Sequence, residues 1–147
     1  MMKRILASLF VLFTSTAMAA ETIEVWKDPG CGCCTAWVDH LKAAGFSVRT
    51  HEVNDMNAAR AKNGVPQALG ACHTARIGGY AIEGHVPAAE IKRLLRERPK
   101  AAGLAVPGMP LGSPGMEADR TQPYDVLLFN GNGRTSVFQS YPTKDRK

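Results

Sequence analysis

Three of the chain's four cysteines fall within four positions, in the run Gly30-Cys31-Gly32-Cys33-Cys34. Cys31 and Cys34 form a C-x-x-C pair, and Cys33 is an additional thiol inside it. Thiols this close act either as a redox dithiol or as soft metal ligands. Thiol–disulfide exchange needs an attacking and a resolving thiol, and a third thiol beside them invites wrong bridges. Cys33 therefore favours metal. Convergent thiolates suit a soft ion such as Cu(I), or Zn(II). Zinc fits less well, because structural zinc sites pair two such units and the second unit here would be Cys72 alone or with His73.

The further candidates are single residues. Cys72 alone would read as a small core hydrophobe. The tripeptide Pro-Gly-Met occurs twice, at 107–109 and 114–116. It puts Met109 and Met116 in a turn-rich segment, where thioethers would add Cu(I) preference and nothing for zinc. His85 sits in a turn before a helix and is well placed as a ligand. His73 follows Cys72 on an expected strand, so the two side chains should face opposite ways. His40 and His51 have no motif around them.

The elements that must position these residues follow from periodicity. Thr22 to Trp26 alternates as a strand. The cysteines come next and run into a helix from Cys34 to Ala44, with Trp37, Val38, Leu41 and Ala44 on one face and Gly45 at its end. A helix N-terminus favours thiolate. Residues 46–53 read as a strand and 55–62 as a weak helix. Cys72 to Ile77 and Tyr80 to Glu83 form a hairpin around Gly78-Gly79. Pro87 to Arg98 reads as a helix buried through Ile91, Leu94 and Leu95. Residues 99–123 read as a Pro/Gly/Met-rich loop, of a length that is usually functional. Tyr124 to Asn130 and Thr135 to Tyr141 form a last hairpin. This order implies an α/β, thioredoxin-like mixed sheet with flanking helices and an extra C-terminal β-hairpin. In that arrangement the segment carrying Cys72 lies beside the dithiol.

The 147 residues suit one domain. Lys3 and Arg4, the apolar run Ile5 to Phe13 and Ala17-Met18-Ala19 read as a cleaved signal peptide over 1–19. A single soluble, periplasmic metal-binding domain is then expected over 20–147, without stable membrane association. In an oxidising compartment the four cysteines could form structural bridges. A Cys31–Cys34 bridge would close too small a loop to stabilise much, which is the mark of a functional dithiol. An iron–sulfur cluster ranks low there. The formal charge of +5 loses two units with Lys3 and Arg4. The remaining basic residues are scattered, with no nucleic-acid footprint.

Four motifs in order carry a family resemblance: Pro29-Gly30-Cys31-Gly32-Cys33-Cys34, Cys72-His73-Thr74-Ala75, Glu83-Gly84-His85-Val86-Pro87, and the run from Val106 to Glu117. From about Ile23 to Tyr141 the chain resembles the CopG-like family of exported copper-resistance proteins. The resemblance implies a thioredoxin-like fold and copper at the cysteine cluster, with room for a multinuclear Cu(I)–thiolate centre. Carried over by position, Cys31, Cys33, Cys34 and Cys72 are the core ligands, with Met109, Met116 and His85 in support. The expected function is to sequester Cu(I), hand it to another periplasmic copper-handling protein, or cycle it between oxidation states. The alternatives are a periplasmic thiol–disulfide oxidoreductase and a zinc-binding interaction module.

Overall fold

In a computed structural model, residues 21–142 are described. Strand β1, Thr22–Lys27, alternates in burial, with Ile23 and Val25 in the core. Helix α1, Gly32–Ala43, is N-capped by Cys31, whose Sγ accepts the Cys34 N–H at 3.3 Å. Trp37, Val38 and Leu41 form its buried face. Gly45, at φ 91°, takes the left-handed conformation that lets the chain leave the helix. Strand β2, Ser47–Glu52, runs parallel to β1.

Helix α2, Met56–Lys62, is capped by the Asp55 carboxylate, which accepts the Ala58 N–H at 2.9 Å. A single helical turn over Gln67–Leu69 leads to β3, His73–Ile77, and β4, Tyr80–Glu83. Gly78 and Gly79 both have positive φ, as a two-residue turn of this kind requires. Helix α3, Ala88–Glu97, has no side-chain cap from its own chain start. His40 of α1 supplies one, accepting the Ala88 N–H at 3.0 Å.

Strands β5, Gly103–Ala105, β6, Tyr124–Phe129, and β7, Thr135–Tyr141, complete one sheet of order β2-β1-β3-β4-β5-β6-β7. Pairs β1–β2 and β4–β5 are parallel and the other pairs antiparallel. The expected mixed sheet, flanking helices and C-terminal hairpin are therefore present. Strand β5 is a correction, since it lies inside the segment read as loop. Leu104, Ala105 and Val106 are fully buried. Three residues are too few to show a period, so their strand character comes from pairing with β4 and β6. Gly103 has to be glycine there, because a Cβ would overlap the Ala81 carbonyl oxygen. The leader expected over 1–19 lies outside the described residues. Among the described residues no helix is long and apolar enough to cross a membrane.

One buried ion pair ties α2 to the sheet. The Glu83 carboxylate, fully buried, accepts Arg60 Nε at 2.7 Å and the Ala71 N–H at 2.7 Å. Arg60 also donates to the Ala71 carbonyl at 2.6 Å. Removing one partner of such a pair strands the other charge away from water. Arg60→Ala is expected to lower unfolding free energy by about 3–5 kcal/mol, read from urea denaturation. A loss within about 0.5 kcal/mol, ordinary for an exposed arginine, would show that the pair is not held as described.

Candidate metal centre

The turn after β1 delivers three cysteines to the start of α1, and the segment before β3 delivers the fourth. Cys31 and Cys34 are joined by a disulfide, while Cys33 and Cys72 are free. Cys33 Sγ lies 3.6 Å from Cys31 Sγ and 3.8 Å from Cys72 Sγ. All four sulfurs lie within 4.8 Å of one another. The expected approach of Cys72 to the dithiol is thus present. Cys34 is fully buried and the other three are half-buried, so the cluster is partly open to solvent.

Cys72 is held through its neighbour Ala71, whose N–H and carbonyl are bonded by Glu83 and Arg60. Gly84 packs against the same segment: a Cβ there would fall 2.6 Å from the Ala71 Cβ and 2.5 Å from the Val106 carbonyl oxygen. Burial pushes the Cys72 thiol up to about 12, with the adjacent Cys33 acting in the same sense. Without metal it is therefore a protonated thiol at neutral pH.

His85, a candidate from its turn before the helix, stands beside this thiol, with Nε2 3.0 Å from Cys72 Sγ. Its Nδ1 lies 2.8 Å from the Pro114 carbonyl oxygen. A carbonyl only accepts, so Nδ1 carries the proton and Nε2 turns a lone pair to the sulfur. His73 corrects the sequence reading. Its Nδ1 lies 3.3 Å from Cys72 Sγ, on the same side. Strand β3 begins at His73, and Cys72 sits on the bend before it, where strand alternation does not apply. The His73 ring is fully buried between Trp37 and His85, with ring centroids 4.3 and 4.9 Å away.

The two Pro-Gly-Met turns flank the cluster. Gly108 N–H donates to the Gly70 carbonyl at 3.2 Å, two residues before Cys72, and the adjacent Met109 is 52% exposed. Gly115 packs directly on α1: a Cβ would fall 2.7 Å from the Cys33 carbonyl oxygen and 2.8 Å from Trp37 N. Met116 follows, half-buried, in a turn closed by its own carbonyl accepting Gly112 N–H at 2.8 Å. The loop that carries both methionines is therefore fixed to both cysteine-bearing segments.

Residues 69–116 match a family model described as a protein of unknown function, DUF411. No curated protein matches the chain. Two solved structures, described as copper resistance protein copG in form 2 and form 1, are each 49% identical to it with a TM-score of 0.79. Each alignment covers 84% of this chain, and it covers 100% and 99% of the respective structures. The chain belongs to the CopG family.

For a CopG-family chain, four clustered sulfurs form a soft, metal-binding donor set, and the family's copper-resistance description makes the function copper-related. The imidazoles beside them are kept neutral. Burial pushes His73 down to about 3, with His85 acting in the same direction, and burial also lowers His85 and His40. A histidine lowered in the folded state is protonated first in the unfolded chain. Stability from His73 is therefore present above about pH 6.5 and declines as pH falls toward 3, by up to about 1.4 kcal/mol per pH unit. Glu83, raised by burial, acts in the opposite sense over its own range. In metal-free protein, NMR should show His73 keeping its neutral-form shifts from about pH 7 to about pH 4. Titration near pH 6.5 would contradict the buried placement.

Proposed function

We propose that the protein binds Cu(I) in the periplasm, as part of copper resistance, through the thiolates of Cys31, Cys33, Cys34 and Cys72. The observation that carries this reading is the meeting of four sulfurs from two distant segments within 4.8 Å. Thiolate and thioether donors select Cu(I). A thiolate can bridge two ions, so four sulfurs have room for a multinuclear centre. His85, with Nε2 3.0 Å from Cys72 Sγ, is a supporting ligand, and Met109 and Met116, on the loop fixed to both cysteine-bearing segments, are further candidates.

The Cys31–Cys34 disulfide makes full occupancy depend on reduction. An external dithiol supplies two electrons and two protons, the S–S bond breaks, two thiols form, and the donor leaves as a disulfide. Each thiol then gives its proton to solvent as copper takes its place. Held this way, copper is sequestered or passed to another periplasmic copper-handling protein.

The disulfide at a helix start also favours a second reading, thiol–disulfide exchange. Cys33, 3.6 Å from Cys31, weighs against it, since it offers a competing bridge. Anaerobic Cu(I) titration of the reduced protein, with thiol counting after desalting, separates the two. Retained copper with thiols protected from alkylation is expected, and Cys33→Ser should lower the copper stoichiometry. No retained copper and four freely reactive thiols would overturn the copper reading in favour of exchange.

A further inference from the structure

We propose that a cleft between Lys100 and Arg134, at the end of the sheet opposite the cysteines, is a binding site for a phosphate group. It shares no residue with the sulfur cluster and does not rest on the Cu(I) reading.

Strand direction sets the two sites apart. Lys27, the last residue of β1, pairs with His73, the first of β3, at the cysteine end. Ala81 of β4 pairs with Gly103 of β5, and Gly103 with Phe129 of β6, at the other end. Phe129 also pairs with Thr135, so the last hairpin turns there, beside the segment that joins α3 to β5. These two segments enclose a cavity of about 270 Å³. Its polar lining is Lys100, Asn130, Arg134, Thr135 and Ser136, which supply two cations, an amide and two hydroxyls, with no carboxylate.

Among the described residues neither Lys100 nor Arg134 pairs with a carboxylate. The acidic residues at this end face other arginines, Glu21 with Arg98 at 3.8 Å and Glu97 with Arg93 at 3.8 Å. Arg76 and Arg98 add positive charge nearby, each donating to a carbonyl of the Gly78-Gly79 turn. The backbone of Arg134 is fixed. Its N–H donates to the side-chain oxygens of Asn130 and Asn132 at 3.0 and 3.2 Å, and its carbonyl accepts the Asn130 N–H at 3.1 Å. Only its side chain then has to be ordered when an anion binds. A guanidinium presents a planar fork that matches phosphate oxygens, and an ammonium adds a point charge. A tetrahedral oxyanion has an acceptor atom for several of these donors, and a halide has one. Inorganic phosphate and the headgroup of an anionic phospholipid both offer this chemistry. On a bilayer, docking through this end would direct the cysteine cluster away from the lipid.

Inorganic phosphate is the first probe, titrated at constant ionic strength because exposed charges are screened by salt. NMR should show saturable shifts in the Lys100, Ala101, Arg134 and Ser136 amides and in the Arg134 Nε–H. Lys100→Gln and Arg134→Gln should each weaken binding by about fivefold. Both side chains are exposed, so the double variant should match the wild type in unfolding midpoint and in Cu(I) retention. Sedimentation with phosphatidylglycerol vesicles, against phosphatidylcholine vesicles, identifies the source. Binding to the first that the double variant loses points to the headgroup, and phosphate saturation without vesicle binding points to the free ion. Shifts that fail to saturate, that chloride reproduces, or that persist in the double variant would overturn the site.

Discussion

Glu83 is a carboxylate with no exposed surface, and the geometry of the cysteine cluster depends on how its charge is met. A buried carboxylate costs several kcal/mol unless paired and hydrogen-bonded. Arg60 reaches it from α2, and the Ala71 peptide is gripped on both its N–H and its carbonyl. The residue after Ala71 is Cys72. The clamp therefore decides where the fourth sulfur stands relative to the three at the start of α1. Thr74 pairs with Glu83 across β3 and β4, so the same contact is continuous with the sheet register.

The other side of the cluster is set by close packing of the loop. Gly115 lies where any side chain would strike the backbone of Cys33 and Trp37. The Pro114 carbonyl orients His85, and Gly108 is tied to Gly70. Ser113, fully buried, turns its hydroxyl to the Pro110 carbonyl at 2.7 Å. Trp37 donates its ring N–H to the Val86 carbonyl at 2.9 Å while packing at a tilt of 37° against the His73 ring. Anchoring the two cysteine-bearing segments separately leaves less of the chain to be ordered when their donors bind an ion.

Much of this was legible in the residues. Cys31, Cys33 and Cys34 announce a site by spacing alone, and the order of elements was enough to bring Cys72 to them. Gly45 and Gly78-Gly79 marked a helix end and a hairpin that the structure contains. Strand β5 was hidden because three residues carry no period and because prolines and glycines surround them. His73 faces the thiol because β3 begins at His73, one residue later than the apolar pattern from Cys72 suggests. Nothing local marks Arg60 and Glu83 as a pair, since the burial of a pair from α2 and β4 is a tertiary fact with no local pattern. The position of His40 as a cap for α3 was invisible for the same reason.

The central claim is that copper sits among cysteine sulfurs, held by the two segments that the Glu83 clamp and the loop bring together. X-ray absorption at the copper edge, on reduced protein loaded anaerobically with Cu(I), tests it most directly. The account predicts an edge typical of Cu(I) and a first shell dominated by sulfur, with nitrogen a minor contribution. A first shell of nitrogen and oxygen, with the four thiols still reactive, would contradict it.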